Sequence, residues 1–180
     1  MSYIEKVNNW LNDNTYETDS YEDVTRLVQL KDLKNLKLSV VFPTLEEELT
    51  IGNTLEIVVN KLIKENKLID ELIVIDGGSK DKTKEVCDKY SDFCNFYLQS
   101  DILPQYNFKG KGEALWKSLK VTTGDIIIYV DSDIKNFTER FITGILAPLL
   151  LNEEIKFVKG YYKRPYILSE SNKSNEGGRV

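Results

Sequence analysis

Apolar residues recur along the chain in two alternating rhythms, one helical and one extended. Ile4, Val7, Trp10 and Leu11 have helical spacing, and after a polar break a second helix is expected from near Ser20, with Val24, Leu27, Val28 and Leu30 on one side. "KLSVVF" (Lys37 to Phe42) reads as a buried strand ended by Pro43. Ile51, Leu55, Val58, Val59, Leu62 and Ile63 then follow an i, i+4, i+7, i+8 pattern, which predicts an amphipathic helix. "ELIVI" (Glu71 to Ile75) is the next strand, "DGGSKDKT" a turn, and Lys82 to Tyr90 a helix with Ser79 as its N-cap. A short strand is expected near Asn95 to Leu98, followed by a helix opened by "KGKGEALWKSLK" and a strand from Asp125 to Val130. Phe141, Ile142, Ile145, Leu146, Leu149 and Leu150 mark a further helix, and "IKFVKGYY" (Ile155 to Tyr162) reads as one more strand.

Strands alternating with helices imply an α/β fold, a mostly parallel sheet with helices on both faces. Residues 1–36 read as an N-terminal helical extension and residues 37–180 as the α/β domain. Ligands of such sheets bind beyond the carboxyl ends of the strands, where the strand order reverses. "PTLEEE", "DGGS" and "DSD" all follow strand ends, so three polar loops are expected on one rim.

Composition narrows the chemistry. With 180 residues, 41% apolar and 29% charged, the chain suits one globular domain with a real core. A net charge of -5 opposes a general nucleic-acid binder, whose footprint is basic. No apolar run approaches the roughly 18 residues that span a bilayer, and "MSYIEKVNNW" has no signal-peptide core, so a cytoplasmic protein without a membrane partner is expected. Cys87 and Cys94 match neither a redox pair nor a zinc knuckle and are expected as reduced, semi-buried thiols. The chain has no histidine, which removes Ser-His and Cys-His nucleophiles and the usual base near neutral pH. Carboxylates, Lys, Arg, backbone and metal remain.

The apolar run "IIIYVDSDI" (Ile126 to Ile134) abruptly carries two carboxylates, Asp131 and Asp133. If the extended conformation continues that far, both point the same way and their repulsion must be relieved by solvent, a turn or a cation. D-x-D is short, and Asp is ordinary where a strand ends, so the spacing alone leaves a loop and a metal site open. An EF-hand is excluded: counted from Asp131, position six is Asn136 rather than Gly and position twelve is Ile142 rather than Glu. "GKGEAL" lacks the first Gly and the Ser or Thr of a Walker loop; Lys111, flanked by glycines at a helix start, reads by itself either as an ordinary surface lysine in a flexible turn or as a point charge placed for a diphosphate.

In order, "VVFPTLEEE", "LIVIDGGSKDKT", "GKGEAL", "TTGDIIIYVDSD", "FVKGYYKRP" and "GGRV" resemble the GT-A glycosyltransferases that make glucosyl-3-phosphoglycerate. The match covers roughly Leu38 to Val180, with a less specific counterpart in "LVQLKDLKNL". The resemblance implies a GT-A (Rossmann-like) sheet and transfer of glucose, with retention, from UDP- or GDP-glucose to 3-phosphoglycerate, aided by Mg²⁺ or Mn²⁺. It implies that Asp133 binds the metal and that Asp131 and Ser132 lie near the donor, the two aspartates forming the catalytic pair. Pro43, Thr44, Leu45 and Glu47 correspond to the segment around the nucleoside, Asp76 and Ser79 to nucleotide contacts, and Lys111 to a diphosphate contact. Gly177, Gly178, Arg179 and Val180 correspond to the loop that holds the acceptor's phosphate. Glu46 stands where the family usually has Asn, and Glu176 where an extra glycine is usual.

Members of that family continue well past "GGRV" and supply a histidine metal ligand and a dimer surface. The chain is therefore expected to be the donor-binding part, forming a homodimer only with the downstream region. Two other functions fit fewer features: an inverting polyprenyl-phosphate or polysaccharide sugar transferase, and a non-catalytic sugar-nucleotide-binding module.

Overall fold

The computed structural model describes residues 1–17, 23–161, 166–167 and 173–174. Two helices, α1 (Tyr3–Asn14) and α2 (Val24–Leu33), precede β1 (Leu38–Thr44). Helix α3 (Ile51–Ile57) runs on into a π-helical stretch, Val58–Glu65, and leads to β2 (Glu71–Asp76), α4 (Thr83–Asp88) and β3 (Cys94–Leu98). Then come α5 (Lys111–Ser118), β4 (Ile126–Tyr129) and α6 (Arg140–Leu151), followed by a short antiparallel pair, β5 (Tyr166–Ile167) and β6 (Lys173–Ser174).

The main sheet has the order β3-β2-β1-β4, and every pairing is parallel. Alternation along β1 and β2 builds two cores. Leu38, Val40, Phe42, Leu72 and Val74 face the larger one, with α2, α3, the π-helical stretch, α4 and α6. Val41, Ile73 and Ile75 face the smaller, under Ala114 of α5 and Ile102. Helices thus cover both faces, as the alternating rhythm implies. Helix α2 contributes Leu27 to the larger core, whereas no residue of α1 is buried.

At the amino ends of the strands, side chains close the backbone. Asp70 accepts from Leu38 N and from Lys31 Nζ, Asp125 accepts from Lys37 N, and Glu71 accepts from Thr123 N. Ser39 Oγ donates to Glu71 and accepts from Gly124 N. A concavity of about 630 Å³ lies here, lined by Lys31, Asp70, Lys37 and Asp125 among others. Asp70 and Asp125 are already committed to these bonds, so it is a structural seam.

Several expected boundaries move. Pro43 does not end β1, because β4 accompanies β1 only from Leu38 to Val41. The N–H that proline lacks belongs on the side where the ladder has stopped, and Pro43 O on that side accepts from Ser132 Oγ instead. Helix α2 begins at Val24, where Asp23 caps Arg26 N, and β4 ends one residue earlier than Val130. No strand forms over residues 155–161, where Phe157 and Tyr161 are exposed. Period-two patterning needs a neighbouring strand to become a ladder, and none lies alongside that stretch among the described residues.

Both thiols are buried and free. Burial first, then the charges of Asp76 and Asp88, pushes Cys87 up to about 12, and burial does the same to Cys94. Neither is a nucleophile near neutral pH.

A Cβ on Gly124 would sit 2.4 Å from Ser39 Oγ and 2.7 Å from Ser39 N, in the middle of the seam. Gly124→Ala is therefore expected to destabilise the protein by about 1–3 kcal/mol, the usual cost of overpacking. Urea denaturation of the two proteins measures it.

Candidate functional site

Strand order reverses between β1 and β4, since the chain passes from β1 to β2 and β3 on one side before returning to β4 on the other. The Asp131–Asp133 loop leaves β4 at this point. Val130 N still bonds Val41 O at 3.2 Å, so the backbone stays extended past the strand's end. Asp131 and Asp133 are exposed while Ser132 between them is buried, which puts both carboxylates on the open side. Ser132 Oγ donates to Pro43 O at 3.1 Å, and Phe137 beyond the loop is buried against Phe42 and Phe141. The loop is anchored at both ends.

Lys111 is the first residue of α5, after Gly110 with φ of +114°. Its Nζ forms an ion pair with Asp131 in which both side chains are about half exposed. Such pairs contribute under about 1 kcal/mol, so a phosphate can displace the carboxylate at little cost. The pair places Lys111 against the loop that carries the two aspartates.

The loops after β1 and β2 are sewn together. Ser79 Oγ accepts from Glu46 N at 2.7 Å, Thr83 Oγ1 from Glu47 N at 2.8 Å, and Asp81 Oδ2 from Glu48 N at 3.1 Å. In return Glu48 Oε2 accepts from Lys82 N at 2.8 Å. Ser79 therefore does not cap α4, which starts four residues later at Thr83, because its hydroxyl is engaged across the gap. Desolvation pushes the Asp81 carboxyl up, but hydrogen bonds from Thr83 and Glu48 outweigh it and hold the group below its ordinary value.

Asp76, at the end of β2, is buried, and its Oδ1 accepts from Gly78 N at 2.6 Å and Ser79 N at 2.7 Å. Gly78 lies at φ of +100°, a conformation that side chains rarely adopt, so the turn requires glycine. Thr44 is buried and donates to Phe42 O, Glu47 accepts from Thr50 Oγ1, and Leu45 is exposed. The nucleoside-side candidates divide: Thr44 and Ser132 turn inward and shape the rim, whereas Leu45, Asp131 and Asp133 face outward. Gly177, Gly178, Arg179 and Val180 lie outside the described residues.

Not foreseen from the sequence is a buried polar cluster under α5. Lys117 Nζ lies 2.9 Å from Glu113 Oε1 and donates to Gln99 O, with side-chain exposures of only 1% for Lys117 and 5% for Glu113. The Glu–Lys spacing of four was visible in the sequence, but it is ordinary on an exposed helix face. Nothing in the pattern says that this pair points inward.

Parallel topology, a switch-point rim with paired carboxylates and a helix-start lysine fit a GT-A sheet, the fold of the solved structures on which the chain superposes. The chain belongs to glycosyl transferase family 2, whose model matches residues 39–163. It is 42% identical to the glucosyl-3-phosphoglycerate synthase of Petrotoga mobilis over 92% of this chain and 51% of that protein. The synthase of Mycolicibacterium smegmatis is 38% identical over 95% of this chain and 54% of its own length. Among solved structures, mannosyl-3-phosphoglycerate synthase from Rubrobacter xylanophilus superposes with a TM-score of 0.80 at 29% identity, covering 86% of this chain and 49% of that one. Glucosyl-3-phosphoglycerate synthase from Mycobacterium tuberculosis, in complex with Mn²⁺, UDP and glucosyl-3-phosphoglycerate, gives 0.65 at 35% identity, covering 73% of this chain and 45% of that one. The chain spans about half the length of the curated relatives it matches.

Glu46 has φ of +58°, in the left-handed region that Asn tolerates and Glu does not favour. Glu46→Asn is expected to raise stability by about 0.5–1 kcal/mol, part of the left-handed penalty. Thermal unfolding checks it. An unchanged midpoint would mean that Glu46 carries no strain.

Proposed function

We propose that this chain forms the donor-binding part of a metal-dependent retaining glycosyltransferase that moves glucose from a nucleotide-sugar to 3-phosphoglycerate. The observation that carries the reading is the convergence of Asp131, Asp133 and Lys111 at the sheet's switch point, in a chain so similar to glucosyl-3-phosphoglycerate synthases. A complex of the mycobacterial relative with Mg²⁺ and UDP, and another with Mn²⁺, UDP and phosphoglyceric acid, support the same donor, cation and acceptor here.

The residues present fit such a cation. Mg²⁺ is commonly held by one or two carboxylates together with substrate phosphates. Among the described residues no three or more His, Cys, Asp or Glu side chains converge into a self-sufficient metal site. Asp133, exposed on an anchored loop, would hold the ion, with phosphate oxygens completing its shell. When bound, the ion neutralises charge on the departing diphosphate.

The chain's own groups have separable tasks. Lys111 would exchange Asp131 for the diphosphate and stabilise the same charge. Asp131, once released, is free to position the donor beside the metal ligand. Pro43, Leu45, Glu47 and Ser79 border the nucleoside, with Thr44, Asp76 and Ser132 shaping the rim behind it. Retention needs no protein nucleophile if the acceptor hydroxyl attacks the face from which the diphosphate leaves. Gly177 to Val180 are assigned to the acceptor's phosphate by resemblance, backbone N–H groups and a guanidinium being suited to it. Donor and acceptor of this kind place the reaction in the cytoplasm; among the described residues no helix is long and apolar enough to cross a membrane.

Calorimetric titration with UDP tests the reading. Binding is expected to require Mg²⁺ or Mn²⁺, and Asp133→Ala to abolish that requirement along with most of the affinity, Asp131→Ala costing less. Lys111→Ala should weaken UDP by about tenfold or more, a charge-assisted contact contributing roughly 1.5–3 kcal/mol, while uridine is barely affected. Equal affinity with and without metal in the parent protein would refute the cation's role.

A further inference from the structure

The cluster buried beneath α5 has no part in the chemistry proposed above, yet it touches the segment that presents Lys111. Glu113 Oε1 accepts from Phe108 N at 3.1 Å, and Gln99 Nε2 donates to Phe108 O at 3.2 Å. Both backbone groups of Phe108 are thus held from below, three residues before Lys111. Gln99 O accepts from Lys117 Nζ at 2.9 Å, and Lys117 also pairs with Glu113. Gln99 N donates in turn to Asp76 O at 2.8 Å, at the end of β2. A continuous path of hydrogen bonds runs from the nucleoside side of the rim, through Gln99 and Phe108, to the start of α5.

The path is made of groups that are costly to bury. Lys117 is fully buried and Gln99 nearly so, and removing a buried charge from water is repaid only by good geometry and further hydrogen bonds. A hydrophobic pair at these two positions of α5 would fill the same space without that cost. What the polar pair adds is direction: the carboxylate fixes Phe108 N–H and the ammonium fixes Gln99 C=O. Within the intervening segment, residues 100–109, Ile102 is buried in the smaller core and Tyr106 meets Trp116 edge-on, so the cluster holds the stretch that follows, where Phe108 is exposed.

We infer that Glu113 and Lys117 are positioning residues, which with Gln99 tie the start of α5 to the end of β2 and so set where Lys111 meets the donor's diphosphate. This rests on the donor-site reading given above. Neither residue touches the donor; each acts through Phe108 and Gln99.

The test uses paired replacements, because breaking one member alone leaves an uncompensated buried charge. E113L/K117M removes both charges and the Phe108 tether together. It is expected to fold, to lose about tenfold or more in affinity for UDP with Mg²⁺, and to keep its affinity for uridine. E113Q/K117M is equally uncharged but restores an acceptor for Phe108 N–H, and should recover part of the UDP affinity while staying below the parent, because Gln99 O still lacks its ammonium donor. Amide hydrogen exchange without ligand should be faster at residues 108–112 in E113L/K117M and return towards the parent rate in E113Q/K117M. Parental UDP affinity in E113L/K117M, or equal losses for UDP and uridine, would overturn the positioning role. A parent protein that binds neither UDP nor uridine would overturn the donor-site reading instead, while unchanged exchange at residues 108–112 would overturn the tether whatever the ligand results.

Discussion

Four hydrogen bonds between the loops after β1 and β2 set the shape of the rim on which the rest of the site depends. Loops at the carboxyl ends of parallel strands expose backbone donors that the sheet no longer satisfies, and those donors must find partners. Here Ser79, Asp81 and Thr83 accept from three consecutive N–H groups, Glu46 to Glu48, so the first loop is read residue by residue by the second. The arrangement requires Glu46 in a left-handed conformation. It also leaves Leu45 outside and turns Thr44 inward.

The two ends of the sheet use carboxylates differently. At the amino end Asp70, Glu71 and Asp125 are engaged by backbone, hydroxyl or ammonium donors and lock adjacent strands together. At the carboxyl end Asp131 and Asp133 face solvent on an anchored loop, and among the described residues Asp131 is met by a half-exposed lysine. Carboxylates that stabilise a fold are satisfied within it. Those left facing outward at a switch point are available to a cation and a diphosphate, and the half-exposed ion pair with Lys111 is weak enough to yield to either.

Much of this was legible in the residues. Periodicity located the helices; β1, β2 and β4 were legible as apolar runs, and β3, with Asn95 and Leu98 exposed, only as a short stretch near Asn95 to Leu98. "DSD" stood out because charge follows an apolar run without transition. What failed depended on partners that local pattern does not show. Pro43 reads as a terminator until the neighbouring strand is seen to have ended first. Ser79 reads as a helix cap until Glu46 N claims its hydroxyl. Residues 155–161 have strand composition but no neighbour to pair with among the described residues. Nothing in the sequence turns Glu113 and Lys117 inward, since their spacing of four suits an exposed helix face and the inward face of α5 is decided by the strands it crosses.

The account's central claim is that a cation and a nucleoside diphosphate meet at the Asp131–Asp133 loop, opposite the seam at the strands' amino ends. Paramagnetic broadening by Mn²⁺ in the ¹⁵N-labelled protein tests this directly, since the effect falls steeply with distance from the ion. With UDP present, the amides of residues 131–134 and 110–112 should broaden first, and those of Leu38, Asp70 and Asp125 should remain sharp. Broadening centred on Asp70 and Asp125, or a pattern indifferent to UDP, would contradict it.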